Sequence, residues 1–283
     1  MEVKITIAEL LAAKREGRKI AAVSCYDYTT AKLVSQTDVQ MILVGDSAAQ
    51  HMLGFDSTLP VTMDFMVAIT AAVRRGAPKV YLVADMPFLS YQLGVNEAVK
   101  NAGRFVVEAG AQMIKIEVSS AYLDVVKAVS EAGMAVMAHI GIRPQRISKI
   151  GKFKAEATTA EMAAELVSLA EQMVGAGAAS LLIEGAATEV AEIITKRSEV
   201  PVISCGSGSG CDGQILIAPD ILGLGQGPNP KFAKSYGNAA DAAIEAFKRY
   251  AKEIERGEFP DDEHSYHMKK GEFERLEELL KKA

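Results

Sequence analysis

The chain has 283 residues, 49% of them hydrophobic, which is enough to bury the core of one large α/β domain. Its formal net charge of −5 provides no basic surface for nucleic acid, and its three cysteines are too few for a disulfide framework or a zinc site. No 18 apolar residues run together and residues 1–4 do not begin a secretion signal, so we expect no membrane association and a cytoplasmic location.

Short apolar runs alternate with helix-like stretches along most of the chain, which predicts parallel strands buried on both faces. A first helix, from Thr6 to about Arg15, precedes the first strand and is expected to cover the bottom of a barrel. The predicted strands are 20–25, 41–45, 80–84, 113–116, 135–138, 180–183, 202–205 and 214–218, and the predicted helices between them are 62–75, 96–109, 120–132, 158–175 and 188–197. The sequence therefore predicts an α/β fold, a (β/α)8 TIM barrel that forms a single domain over residues 1–283.

Two parts of the chain are less regular. Only residues 206–213 join the seventh and eighth strands, which is short for a helical crossover between parallel strands. Beyond the barrel we expect a loop over 224–236, a helix over 238–255 and a C-terminal extension over 257–283. The helix predicted over 272–282 carries an apolar stripe that includes Phe273 and Leu280, and it is either a solvated helix or a surface that docks on a neighbouring subunit.

Reactive polar residues follow several of the apolar runs. These residues are Asp46 with Ser47, Asp85, Glu117, His139 and Glu184. Because parallel strands share one C-terminal edge, side chains from distant parts of the sequence are expected to meet there in one acidic pocket. This pattern predicts an enzyme.

Three of these groups are hard oxygen donors, namely Asp46, Asp85 and Glu117, with no cysteine or histidine cluster near them in sequence. Such a set favours Mg²⁺ over Zn²⁺, because Mg²⁺ is bound by a few carboxylates and keeps waters that a substrate can replace. A cation would also offset the repulsion between carboxylates gathered at one edge.

The residues leave several roles open. Lys115 and Glu117 lie two positions apart on one strand and so face the same side, either as a structural ion pair or as part of a site. Glu184 is a candidate general acid or base, or else a strand-end carboxylate. His139 either orients a substrate or is a core histidine whose hydrogen bonds are satisfied.

Nine segments of the sequence form motifs that occur together in one known family. They are YDYTTAKL at 26–33, VGDS at 44–47, DSTLPVT at 56–62, AVRRGAP at 72–78, VADMPF at 83–88, HIG at 139–141, CDGQ at 211–214, PKF at 230–232 and EHSY at 263–266. Through these segments the chain resembles the ketopantoate hydroxymethyltransferase family. The resemblance implies a (β/α)8 barrel of the phosphoenolpyruvate mutase and isocitrate lyase superfamily. It also implies transfer of a hydroxymethyl group from 5,10-methylenetetrahydrofolate to 3-methyl-2-oxobutanoate, a 2-oxo acid, which gives 2-dehydropantoate for pantothenate and coenzyme A synthesis.

The same resemblance implies roles for particular residues. Asp46 and Asp85 would bind Mg²⁺, with Glu117 beside the metal or its waters. Ser47 and Lys115 would hold the carboxylate of the 2-oxo acid, with Asp85 and His139 also at the substrate, and Glu184 would transfer a proton. The family further implies a homo-oligomer, which is a decamer in well-known members.

The sequence also departs from the family pattern, at Ala48, Ala49, Val118, Ser119, Ala138 and Cys205. We expect these positions to lie at the catalytic edge or in its loops and not in the barrel core. They leave open a related metal-dependent aldolase or lyase that acts on another 2-oxo acid without folate. A non-catalytic barrel, kept as a scaffold or as a sensor of 2-oxo acids, is a third interpretation.

Overall fold

A computed structural model describes residues 4–225 and 230–282, and within them eight parallel strands close into a barrel in chain order. The strands are β1 (Ile20–Ser24), β2 (Met41–Val44), β3 (Tyr81–Asp85), β4 (Met113–Glu117), β5 (Ala135–Gly141), β6 (Ser180–Glu184), β7 (Val202–Cys205) and β8 (Gly213–Ile217). The predicted (β/α)8 barrel is confirmed, and all eight predicted strands are present with small shifts at their ends.

Helices surround the barrel. They are α1 (Ile7–Arg15), α2 (Tyr28–Val34), α3 (Ala48–His51), α4 (Met63–Gly76), α5 (Val95–Ala109), α6 (Leu123–Glu131), α7 (Ile147–Ile150), α8 (Ala160–Gly175), α9 (Thr188–Arg197), α10 (Ala218–Leu222), α11 (Ala239–Arg256) and α12 (Glu272–Lys281), with single 3₁₀ turns at Ser120–Tyr122 and Pro144–Arg146. The sequence reasoning missed the short helices α2, α3, α7 and α10. Each has seven residues or fewer, which is too short for a hydrophobic period to be read.

The barrel interior holds its own apolar core, built from alternate residues of the strands, such as Met41 and Leu43 of β2. Helix α1 supplies Leu10 and Ala13 to this core. Lys14, on the same helix, reaches the carboxylate of Asp212, just before β8, at 2.7 Å. Helix α1 therefore covers the end of the barrel where the strands begin, as predicted.

The barrel closes between β7 and β8 without a helix. These two strands pair at only two positions, whereas β8 pairs with β1 at five. Gly213 lets the start of β8 lie against the start of β1, because a Cβ at position 213 would lie 2.6 Å from the Ile20 carbonyl oxygen. Residues 206–213 thus join β7 to β8 without a crossover helix, and β8 is held in the barrel mainly by its pairing with β1.

The two C-terminal helices lie outside this core. Neither α11 nor α12 has a buried residue, and Phe247, Tyr250 and Ile254 of α11 are exposed. The loop predicted over 224–236 includes residues 226–229, which fall outside the described residues. Among the helices described, none combines the length and the apolar character that a bilayer span requires.

Candidate active site

All seven predicted site residues line one cavity of about 400 Å³ at the C-terminal ends of the strands. Five of them lie on strands β3 to β6, namely Asp85, Lys115, Glu117, His139 and Glu184, and Asp46 and Ser47 come from the loop after β2. Lys115 and Glu117 both face this cavity, as their spacing on β4 predicts. The barrel therefore brings the seven predicted residues together, and Ser24, Gln50, His51, Thr58 and Asp220 line the same cavity.

A buried ion pair lies at the centre of the cavity. The Lys115 ammonium is 2.8 Å from Asp85 Oδ1, and both side chains are almost completely buried. Asp85 Oδ2 accepts a hydrogen bond from the backbone N–H of Asp46 at 2.9 Å. Burial lowers the pKa of Lys115, but the neighbouring carboxylates, Asp85 foremost, outweigh burial and hold that pKa above its ordinary value. Lys115 is therefore charged.

Three carboxylates share this one lysine. Burial raises the pKa of Asp85, and Lys115 opposes that shift. Burial also raises the pKa of Glu117, an effect that Asp46 and Asp85 reinforce and Lys115 opposes. When all three carboxylates are ionised, as beside a bound cation, the pocket carries more negative charge than its one lysine offsets.

His139 lies between Lys115 and Glu184. Its Nδ1 is 3.2 Å from Lys115 Nζ, and its Nε2 is 3.3 Å from Glu184 Oε2. Burial, together with Lys115, lowers the pKa of His139, so the ring is neutral near neutral pH. Because an ammonium can only donate, Nδ1 is the acceptor and the N–H is on Nε2, which faces Glu184. The ring is buried, as a core histidine would be, but it contacts two cavity residues.

Glu184 is partly exposed to the cavity, and the loops around it fix its backbone. Its carbonyl accepts a hydrogen bond from Ile142 N–H at 2.8 Å. Gly141 has φ +83°, and a Cβ there would collide with the Glu184 carbonyl oxygen. The end of β5 can therefore lie against the end of β6 only because position 141 is glycine.

Ser47 contributes a hydroxyl at the side of the cavity. Its Oγ is 2.8 Å from the Tyr26 hydroxyl, which follows β1. Burial raises the pKa of Tyr26, so the phenol stays protonated and available as a donor. The sequence reasoning gave Tyr26 no role at the site, although the strand-end rule that selected Asp46 applies equally to the end of β1.

Gln145 is a second residue that the sequence reasoning missed. Its backbone N–H donates to Glu117 Oε2 at 3.1 Å, and its side-chain Nε2 donates to Asp46 Oδ2 at 2.9 Å. It lies in the 3₁₀ turn after β5, and it is uncharged and outside any hydrophobic repeat, so the sequence gives no sign of its place in the site.

In residues 4–225 and 230–282, no three His, Cys, Asp or Glu side chains are arranged closely enough to form a complete metal site by themselves.

The departures from the family pattern divide into two groups. Cys205 lines the cavity, and burial, followed by nearby Glu184, raises the pKa of its thiol. Ala48, Ala49 and Val118 follow the C-terminal ends of β2 and β4, as expected, and Ala138 lies within β5. The expectation that they would lie outside the core was wrong, because all four are fully buried between the strands and the surrounding helices, and none lines the cavity. Ser119 is half-buried.

The cavity walls change from floor to rim. Leu43, Leu182 and Ile215 form an apolar floor, whereas Phe153 and Phe232 at the rim are each about 40% exposed. Gly206 has φ +70°, and a Cβ there would lie 2.6 Å from the Phe232 ring. The cavity therefore offers a charged centre between two apolar regions.

Comparison with known proteins identifies relatives over nearly the whole chain. The sequence model of the family described as "Ketopantoate hydroxymethyltransferase" matches residues 4–262. A protein named 3-methyl-2-oxobutanoate hydroxymethyltransferase from Hyperthermus butylicus is 43% identical over 98% of this chain and 96% of its own length. The protein of the same name from Clostridium acetobutylicum is 44% identical over 90% of this chain and 92% of its own length.

Solved structures share the fold at low sequence identity. A 2,3-dimethylmalate lyase of the PEP mutase/isocitrate lyase superfamily has a TM-score of 0.59 and 16% identity, with coverage of 98% of this chain and 99% of its own. A phosphonopyruvate hydrolase in complex with oxalate and Mg²⁺ has a TM-score of 0.59 and 17% identity, with coverage of 98% and 97%. These similarities show the barrel fold.

Proposed function

Because the chain belongs to the ketopantoate hydroxymethyltransferase family and is therefore a hydroxymethyltransferase, we propose that its acceptor is 3-methyl-2-oxobutanoate and its donor 5,10-methylenetetrahydrofolate. The product would be 2-dehydropantoate, on the route to pantothenate and coenzyme A. The names of the relatives support the acceptor, and the family resemblance supports the donor. One observation carries the proposal: a buried lysine that can bind a carboxylate at the centre of an acidic cavity.

Mg²⁺ fits the residues of this pocket. Three buried carboxylates around one lysine leave an excess of negative charge, and Mg²⁺ is commonly bound by only one or two carboxylates together with waters and substrate. Asp46 and Asp85 would hold it, with Glu117 beside its waters. When bound, Mg²⁺ would polarise the keto oxygen and stabilise an enolate. The phosphonopyruvate hydrolase of the same fold was solved with Mg²⁺, which supports this part of the proposal.

The acceptor would bind by its carboxylate. Lys115 would supply the positive charge, and the Ser47 hydroxyl, held by Tyr26, would donate a hydrogen bond. The branched alkyl group would then face the apolar floor, which Leu182 and Ile215 help to form. Burial of the acceptor excludes water from the carbon that reacts.

Glu184 would remove the proton from C3 of the acceptor. The neutral His139 ring carries its N–H on Nε2, 3.3 Å from Glu184 Oε2 and without another hydrogen-bond partner, so a small shift of the Glu184 carboxylate would let it accept from this N–H. The electron pair of the broken C–H bond forms the enolate, which attacks the methylene carbon of the donor. The new bond from C3 to that carbon would replace one of its two C–N bonds, and the proton taken by Glu184 would pass to the released folate nitrogen. Water would then replace the second C–N bond, leaving its hydroxyl on the carbon and its proton on the other nitrogen, so that tetrahydrofolate leaves.

We also propose a homo-oligomer, with the decamer of well-known family members as the expected size. The exposed Phe247, Tyr250 and Ile254 of α11 support this, because an apolar face of this kind commonly packs against another surface. The single domain over residues 1–283, with 257–283 as its extension, is part of the same proposal. All three cysteines are free thiols, in keeping with a reducing compartment such as the cytoplasm.

Product analysis tests the reaction. The enzyme, with Mg²⁺ and 3-methyl-2-oxobutanoate, is given 5,10-methylenetetrahydrofolate whose methylene carbon is ¹³C, and the product is identified by mass spectrometry. We expect ¹³C-labelled 2-dehydropantoate. Product that forms from free formaldehyde at the same rate without folate would overturn the donor and favour the aldolase. The absence of product with this acceptor, when another 2-oxo acid reacts, would overturn the acceptor.

A further inference from the structure

Gln145 lies behind the acidic cavity and has more polar contacts than its place in a short turn would suggest. Its side chain is 4% exposed and does not line the cavity. Nε2 donates to Asp46 Oδ2 and to the Met86 carbonyl, each at 2.9 Å. Oε1 accepts from the Tyr91 hydroxyl at 2.8 Å and from Gln92 Nε2 at 3.3 Å.

These contacts fix which way the amide points. A backbone carbonyl can only accept, so the amide nitrogen must face Met86, and the oxygen must face Tyr91 and Gln92. Asp46 Oδ2 therefore accepts a hydrogen bond from the amide nitrogen of Gln145 and does not face the amide oxygen. With Oδ2 held in this way, Asp46 can offer Oδ1 to a cation.

The backbone of the same residue holds a second carboxylate. The N–H of Gln145 donates to Glu117 Oε2, and the Tyr91 hydroxyl is 3.1 Å from the carbonyl of Glu117. One buried residue thus contacts two of the three carboxylates, which otherwise repel each other. We propose that Gln145 is the positioning residue of this site: it orients Asp46 and Glu117 so that a divalent cation can be bound together with Asp85. This inference rests on the proposed Mg²⁺ dependence.

A purely structural role makes a different prediction. The amide also joins the loop after β3, through Met86, to the turn after β5. If that were its only function, its removal would lower stability and leave cation affinity unchanged. A positioning role lowers cation affinity, since partners of this kind typically change metal affinity by about 10- to 100-fold.

The test uses Gln145→Met, which keeps the length of the side chain and removes both hydrogen-bonding groups. Mn²⁺ binding to the full-length protein is measured by electron paramagnetic resonance, without substrate. We expect the Kd for Mn²⁺ to rise about 10- to 100-fold. The Mg²⁺ concentration needed for half-maximal activity should rise in parallel, and kcat at saturating Mg²⁺ should change much less.

Gln112→Met is the matched control. Gln112 is half-buried and its side chain makes three hydrogen bonds, with Arg74, Leu82 and Ile5, but it lies at the opposite end of the barrel. It should lower the melting temperature and leave the Mn²⁺ affinity within about twofold of the wild type.

Tyr91→Phe provides a second test should Gln145→Met fail to fold. This variant keeps the amide but removes the hydroxyl that anchors Oε1, and the Kd for Mn²⁺ should rise by about 3- to 10-fold, the equivalent of one hydrogen bond. Unchanged Kd values in the folded variants would overturn the role of Gln145. Absence of Mn²⁺ binding to the wild type would instead overturn the metal proposal itself.

Discussion

Gly45 precedes Asp46, and its substitution tests how the Ser47 hydroxyl is held without changing any charge. A Cβ at this position would lie 2.9 Å from Ser47 Oγ and 3.1 Å from Ser24 Oγ, but 3.9 Å from the nearest Asp85 oxygen. Gly45→Ala therefore displaces the serine hydroxyl and leaves the carboxylate in ordinary contact. The backbone at Gly45 is outside the left-handed region, so alanine brings no strain of its own.

The displaced hydroxyl loses its hydrogen bond to Tyr26, which is 2.8 Å long. Such a bond contributes about 0.5–1.5 kcal/mol, so the KM for the 2-oxo acid should rise roughly 2- to 12-fold. The kcat should stay within about twofold, because the proposed metal ligands and Glu184 are untouched. Steady-state kinetics with the 2-oxo acid as the varied substrate measures both constants.

Two variants serve as controls. Gly103→Ala places a methyl group where no atom lies within 4 Å, inside α5, and should leave the kinetics unchanged while adding about 0.5–1 kcal/mol of stability. Tyr26→Phe removes the same hydrogen bond from the other side and should reproduce the rise in KM. A folded Gly45→Ala variant with wild-type KM, or Tyr26→Phe with wild-type KM, would refute the role assigned to the Ser47 hydroxyl.

Three further predictions concern the fold and the thiols. Gly76→Ala would place a Cβ 2.5 Å from the Tyr28 carbonyl oxygen, so urea unfolding should show a loss of about 1–3 kcal/mol; equal stability would mean that α2 and α4 separate freely. Asp212→Asn should lower the free energy of unfolding by about 1.5–3 kcal/mol, because Asp212 Oδ2 accepts hydrogen bonds from the Lys14 ammonium and from the backbone N–H of Val202. The kcat should not change, and a stable variant with a lower kcat would contradict this structural role. Burial raises the pKa of all three cysteine thiols. At mildly alkaline pH, iodoacetamide should therefore label the native protein far more slowly than the unfolded chain. Rapid labelling of the native protein would instead show exposed thiolates.

The placement of the acidic residues could be predicted because it depends on a regularity of parallel sheets. Each of Asp85, Glu117 and Glu184 ends an apolar run, and strands that run in one direction must end at one edge. The same regularity could have corrected the error at Val118 and Ala138. Each is adjacent to an inward-facing residue, Glu117 or His139, and the period of two along a strand turns it towards the outer core.

Gln145 could not have been predicted in this way. It acts from a turn, and its contacts to Asp46 and Met86 come from loops that only the closed barrel brings together. The closure itself was uncertain from sequence because residues 206–213 are short for a helical crossover. In the structure β8 pairs with β1 at five positions, and Gly213 lets the backbone of β8 approach Ile20.

Hydrogen–deuterium exchange at C3 of 3-methyl-2-oxobutanoate tests the central proposal, that this pocket enolises a 2-oxo acid on a divalent cation with Glu184 as the base. The substrate is incubated in D₂O with the enzyme and Mg²⁺ but without folate, and loss of the C3 proton is followed by nuclear magnetic resonance. We predict exchange by the wild type, loss of exchange on exhaustive chelation, and a rate lower by about 10²- to 10⁴-fold in Glu184→Gln. Exchange that continues at the wild-type rate after chelation and in Glu184→Gln, or no exchange by the wild type with Mg²⁺, would contradict the account.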